Sequence, residues 1–182
     1  MLAYSSVSQM GYIMLGISIG TPLALTATLL HSINHAIMKG CLFMAVNGIQ
    51  WKFGIFRICD FGGIAKKLPF TMAAFTVAAI SMIGIPPTGG FFSKYYLLLA
   101  AFETGHVVFV VGIIASSFFS AMYFFRVIEN AYLLSSSSKN EIRDELPNAI
   151  LVPVLILSAF VIILGLLNQS VVALIVAPGL PN

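Results

Sequence analysis

The sequence predicts an all-α, polytopic membrane helix bundle with about five crossings, one of them a discontinuous (broken) helix. Three observations carry this. First, 59% of the 182 residues come from the set AVILMFWYC and only 8% are charged, against about 45–50% and about 25% in soluble domains. Second, a chain this small leaves much of its surface outside any core, so it cannot hide that much apolar surface from water. Third, the apolar residues come in long runs rather than in alternation, which favours helices over a barrel. The mean hydropathy of +1.02 excludes a soluble globular domain, a disordered chain and a nucleic-acid module.

The spans follow in order. The first covers 2–20 and stops at Gly20-Thr21-Pro22. No basic segment precedes it, so it reads as a span and not as a cleavable leader. The second covers 23–49. The third region, 70–104, is too long for one straight helix, since 35 residues would reach roughly 52 Å against a core of about 30 Å. Its middle reads Gly84-Ile85-Pro86-Pro87-Thr88-Gly89-Gly90. Pro86 and Pro87 remove backbone donors, and the glycines, Gly89 and Gly90 among them, permit unusual turns. A helix broken inside the membrane is expected. The fourth span covers 107–130 and the fifth 148–167, while 171–177 is too short to cross.

Loop charges decide whether 70–104 crosses once or twice. Loop 50–69 holds Lys52, Arg57, Lys66 and Lys67, and loop 131–147 holds Lys139 and Arg143. The turn at 20–22, the segment 103–107 and the tail 168–182 hold no Lys or Arg. A single crossing puts both basic loops on one side, so the positive-inside rule predicts one crossing with the N-terminus and the basic loops cytoplasmic. Three units result: a transmembrane repeat at 1–134, a polar loop at 135–147, and a last helix with its tail at 148–182. Cys41 and Cys59 lack CxxC spacing and read as free thiols.

Two lysines stand out. Lys39 lies inside the second span, where a lysine costs about 2.5–3.5 kcal/mol on insertion scales. It follows His35 by four residues, and His35 follows His31 by four. The three form one stripe about 12 Å long on a helix face, flanked by Asn34. Such a stripe must face protein or water. Two satisfied buried histidines would be the plain reading of His31 and His35 alone. With Lys39 on the same face, titratable groups at one-turn spacing suit a proton relay. A metal site would need a carboxylate or thiolate that the stripe lacks, so none is expected. Lys94 follows the break, in Gly89-Gly90-Phe91-Phe92-Ser93-Lys94. It could snorkel to an interface. Broken helices at membrane depth, however, are tolerated only beside buried protein or a wet cavity, and in transporters they mark the ion or substrate site.

Softer signals remain. Ser5, Ser6, Ser8 and Gln9 either contact headgroups or line a wet path. Ser116, Ser117, Ser120 and Tyr123 read as a small-residue packing face in preference to a polar stripe. Arg126 and Glu129 read as an interfacial pair, and Glu103 and His106 as solvated.

The segments Leu2-Ala3-Tyr4-Ser5-Ser6-Val7-Ser8-Gln9-Met10-Gly11-Tyr12, His31-Ser32-Ile33-Asn34-His35-Ala36-Ile37-Met38-Lys39-Gly40-Cys41-Leu42-Phe43 and Gly84-Ile85-Pro86-Pro87-Thr88-Gly89-Gly90-Phe91-Phe92-Ser93-Lys94 resemble three successive motifs of the antiporter-like membrane subunits. These occur in respiratory complex I, membrane-bound hydrogenases and Mrp-type cation/proton antiporters. Ala74 to Lys94 and Tyr123-Phe124-Phe125-Arg126-Val127-Ile128-Glu129 look closest to the Mrp D-type subunit. The resemblance implies the second of two inverted five-helix repeats, each with a broken helix, and a hydrophilic axis along the membrane midplane. It implies a proton relay of Lys39, Lys94, His35 and His31, with Asn34, Ser93, Ser8 and Gln9 as candidate polar lining. It also implies the lipid bilayer of a prokaryotic cytoplasmic (inner) membrane, with other membrane subunits, protons and Na+ as partners.

Full-length members carry a first repeat with a buried glutamate and two further lysines. The chain begins inside the first motif, so a fragment or half of a split subunit is expected. The leading expectation is a proton-translocating subunit of a multi-subunit monovalent cation/proton antiporter. The alternatives are a proton-pumping subunit of a redox-driven NADH:quinone oxidoreductase or hydrogenase complex, and an inactive structural half-subunit. No cofactor is expected, because two isolated cysteines cannot hold an iron–sulfur cluster and no GxGxxG follows a strand. The chain is therefore expected to be a transporter subunit and not itself an enzyme.

Overall fold

The computed structural model describes residues 1–134 and 144–173. Helix α1 spans Leu2–Ile19 and α2 spans Pro22–Phe53. The tight link between them uses Gly20 at φ 70°. The Thr21 hydroxyl accepts the Ala24 N–H at 3.2 Å, and Pro22 occupies the first helical turn. A hydroxyl cap followed by proline satisfies or removes donors that would otherwise be orphaned. The 32 residues of α2 extend about 48 Å, more than a bilayer core requires.

Loop 50–69 is more ordered than expected. It holds a 3-10 turn, Ile58–Phe61, and the short helix α3, Ile64–Lys67, both ahead of α4, Pro69–Ile83. Glycines at 54 and 63 with positive φ end α2 and start α3. The sequence hides these turns because four-residue helices show no periodicity. Helix α5 spans Gly89–Glu103, α6 Val107–Tyr132, α7 Asn148–Leu166 and α8 Asn168–Val171. Most of the expected polar loop at 135–147, with Lys139 and Arg143, and the end of the stretch at 171–177 lie outside the described residues.

The break falls where expected, between Ile83 and Gly89. Three hydrogen bonds fix its direction. Cys41 Sγ donates to Ala74 O at 3.7 Å, Asn34 Nδ2 to Gly89 O at 3.0 Å, and His31 Nδ1 meets Ser93 Oγ at 2.9 Å. As the chain advances from 74 to 93, its partner on α2 retreats from 41 to 31. So α4 and α5 run in series, antiparallel to α2, as one interrupted crossing.

Among the described residues, three helices are individually long and apolar enough to cross a membrane: α2, α6 and α7. Helix α1 is diluted by its polar face, and each half of the broken crossing is too short alone. The larger apolar cluster joins Leu42 and Ile49 of α2 to Met72 and Phe75 of α4, Phe124 of α6 and Val154 of α7. A smaller one joins Tyr12, Ala27, Leu97, Ala101 and Ile113. The outer faces of α1 and α6 expose Val7, Met14, Val108, Val111 and Phe118, as lipid or neighbouring subunits require.

The expected Arg126–Glu129 pair is not formed among the described residues. Arg126 instead lines, with Arg57, a cavity of about 1130 Å³ between the start of α1 and the ends of α2 and α6. An ion pair joins Lys52 to Asp144 at 2.6 Å. The Glu145 carboxylate accepts the Phe70 N–H at 2.6 Å and the Thr71 hydroxyl at 2.8 Å, a negative charge at the N-terminus of α4 where the helix dipole favours it.

Candidate functional site

Helices α1 and α2 are antiparallel, and their inner faces match turn for turn. Residues Leu2, Ser5, Gln9, Tyr12 and Gly16 form the buried face of α1. Ser5 meets Lys39. Seven residues on, the Tyr12 ring stands edge-on to His31 with centroids 5.4 Å apart. Gly16 lies against Thr28, where an added Cβ would overlap its hydroxyl. This register sets Gln9 level with His35.

Lys39 is 6% exposed. Its amine donates to Leu2 O and Ser5 Oγ, both at 2.5 Å, and lies 5.5 Å from the centre of the Phe43 ring. Lys94 is also 6% exposed. Its amine donates to Met82 O at 2.8 Å, Ile83 O at 3.1 Å and Ser117 Oγ at 3.3 Å, and sits 5.0 Å from the Tyr12 ring centre. Met82 and Ile83 end α4, so their carbonyls carry the negative end of a half-helix dipole. The Lys94 ammonium caps it. Neither lysine snorkels, and neither meets a carboxylate among the described residues.

His31 and His35 lie between them. The rings are parallel, 6.3 Å apart. The Ser93 hydroxyl bonds His31 Nδ1 at 2.9 Å and also reaches Gly90 O at 3.1 Å. His31 Nε2, His35 Nε2 and both amide atoms of Gln9 are buried without a partner among the described residues. Asn34 does not face the relay directly. It holds the break, and an added Cβ at Gly89 would overlap its amide oxygen. Ser81 Oγ accepts the Gly90 N–H at 3.2 Å. Pro86 and Pro87 are exposed.

The structure thus brings Lys39, Lys94, His31, His35, Ser93 and Gln9 into one interior strip. Ser5 and Gln9 turn inward, away from headgroups. Ser8 is half-buried and bonds Ser116 Oγ at 2.9 Å. The expectation that Ser116 and Ser117 form a packing face is corrected by these contacts. Ser117 reaches both Lys94 and the Tyr12 hydroxyl, the latter at 3.3 Å. Sequence reasoning missed Tyr12. The 3-4-3-4 spacing of Leu2, Ser5, Gln9, Tyr12 and Gly16 was the signal that could have found it.

A broken membrane helix facing a buried stripe of lysines and histidines defines a class: polytopic subunits with a polar axis inside the bilayer. Comparison with known proteins gives the family. Residues 1–122 match the family model described as NADH:quinone oxidoreductase/Mrp antiporter, TM, and the chain belongs to that family. It is 49% identical over 193 residues to NADH-quinone oxidoreductase subunit N of Desulforudis audaxviator, covering 100% of this chain and 38% of that protein. It is 30% identical over 170 residues to the D-type subunit of the Na(+)/H(+) antiporter of Alkalihalophilus pseudofirmus, covering 93% and 34%. The structure of the Mrp complex from a Dietzia species matches with a TM-score of 0.87 at 25% identity, covering 94% of this chain and 40% of that one. The chain therefore spans less than two fifths of the length of these two curated relatives.

Proposed function

We propose that this chain forms the proton-handling part of a membrane subunit in a redox-driven complex of the quinone oxidoreductase type, whose electron-transfer chemistry belongs to partner subunits. The leading expectation from the sequence, a cation/proton antiporter, yields to this alternative. Identity to the quinone oxidoreductase relative is 49%, against 30% for the antiporter relative. On this reading the chain sits among other membrane subunits in a cytoplasmic membrane, with its basic loops inside. Residues 1–134 carry the relay and 148–182 supply a packing helix and tail.

The observation that carries the reading is the setting of Lys94. Its amine is buried at a helix break and held by neutral acceptors: two carbonyls and a hydroxyl. Among the described residues no counter-ion pins its charge, so the charge can be given up and regained. Lys39 is set in the same way. Ser5 and Tyr12, which mark the two amines, are seven residues apart on α1, about 10 Å. At that distance two ammonium charges repel by roughly 1.5 kcal/mol at an effective dielectric of about 20, enough to bias which lysine holds the proton.

The test uses the intact complex in vesicles. Lys94→Ala abolishes proton transport. Lys94→Arg abolishes it too, because a guanidinium keeps its proton. Transport at the normal rate in either variant refutes the relay.

The antiporter reading retains one specific support, the TM-score of 0.87 to the Mrp complex. Sodium removal separates the two. A redox-driven complex goes on moving protons without Na+, and an antiporter stops.

A further inference from the structure

The histidine series is not a continuous hydrogen-bonded path in this structure. His31 and His35 stack without bonding, and each Nε2 is unpartnered among the described residues. A different route between the two lysines is nearly closed. Lys94 Nζ donates to Ser117 Oγ at 3.3 Å, and Ser117 meets the Tyr12 hydroxyl at 3.3 Å. Ser116, next in the chain to Ser117, lies close to the Tyr12 hydroxyl without bonding it, and it meets Ser8 at 2.9 Å. One turn of α1 then separates Ser8 from Ser5, whose hydroxyl accepts from Lys39 at 2.5 Å. A cavity of about 450 Å³ lined by Ser5, Ser8, Ser116, Ser120 and Tyr123 spans that turn. It is an open cleft whose serines form a polar edge against the apolar Met1, Tyr4, Ala115 and Phe119, and it has room for several water molecules beside that edge.

We propose that this hydroxyl ladder between α1 and α6, completed by water in the cavity, is the main proton path joining Lys94 to Lys39. The proposal rests on the proton-translocating reading given above. The step balances. An N–H bond of the Lys94 ammonium breaks as Ser117 takes that proton and passes its own to Tyr12. Tyr12 passes its proton to Ser116, Ser116 to Ser8, and Ser8 to cavity water. The water delivers a proton to Ser5, which passes its own to a neutral Lys39 amine. One N–H bond is lost at Lys94 and one is formed at Lys39. Every hydroxyl and the water end neutral, so no charged oxygen is left in the bilayer. Two features suit the ladder to this use. Ser117 has its own proton free to pass on while it accepts from Lys94. Tyr12 can turn its single proton between Ser116 and Ile113 O, which lies 3.3 Å away, so it can interrupt or close the chain.

The experiment measures proton transport by the full complex in vesicles, with Lys94→Ala as control. Tyr12→Phe keeps the ring beside Lys94 and removes only the hydroxyl. It lowers the rate at least tenfold, as does the double variant Ser8→Ala with Ser116→Ala, in complexes that assemble normally. Ser116→Thr keeps the hydroxyl and restores transport to within about twofold of normal. Normal rates in Tyr12→Phe and in the double alanine variant overturn the ladder while Lys94→Ala still stops transport. A Ser116→Thr variant as slow as the double alanine variant also overturns it, because the serine then matters for its size. Normal transport in Lys94→Ala overturns the proton-translocating reading itself.

Discussion

Lys39 and Lys94 are costly to bury, and each is satisfied by backbone carbonyls and a serine hydroxyl. Lys94 takes the last carbonyls of α4, and Lys39 takes the Leu2 carbonyl in the first turn of α1. Burying an ammonium costs several kcal/mol even with good partners, and an apolar replacement of similar volume is often neutral or stabilising. Stability and function should therefore separate at residue 39. Lys39→Leu is expected to hold or raise the unfolding temperature of the purified complex while proton transport is lost. A variant that both unfolds early and transports poorly would make Lys39 a structural residue. At this scale the charges were legible in the sequence, because a lysine in an apolar run must either snorkel or find buried partners. Their partners were not. Ser117 lies 23 residues from Lys94 and 105 from Tyr12, and nothing in Ser116-Ser117 distinguishes a hydrogen-bonding serine from a packing one.

The broken crossing depends on the absence of side chains at three places. An added Cβ at Gly90 would overlap the Ser81 carbonyl, and one at Gly165 of α7 would overlap Pro87 O and press on Thr88. Both obstacles are backbone, so no rotamer change relieves them. Asn34 closes the third side against Gly89. Overpacking of this kind costs about 1–3 kcal/mol. Gly90→Ala and Gly165→Ala are each expected to lower the thermal stability of the complex by that amount, while Gly112→Ala, with nothing within 4 Å, leaves it level. Equal effects at all three glycines would mean the break is not held by these contacts. Prolines and glycines announced the break in the sequence because they act locally. Gly165 could not be read that way. In an apolar helix it resembles any small residue, and its role comes from a chain segment packed against it.

At the scale of the whole chain, everything turns on α4 and α5 forming one crossing. The descending partners on α2, Cys41, Asn34 and His31, against Ala74, Gly89 and Ser93, put Lys94 halfway down the bundle and level with the histidines. A re-entrant hairpin would return α5 to the side where α4 began, and the lysine would lose that place. The basic loops give the same answer independently, since one crossing collects Lys52, Arg57, Lys66 and Lys67 on the side of the 131–147 loop. The two exposed positions that report on this are Phe56, before the broken crossing, and His106, after it. With Cys59 replaced by serine and the buried Cys41 kept, Phe56→Cys and His106→Cys should react with a membrane-impermeant maleimide from opposite faces of oriented vesicles. The Phe56→Cys site should react from the face that carries the basic loops. Reaction of both from one face would make 70–104 a hairpin, and the alignment of Lys94 with His31 and Lys39 would fall with the single crossing.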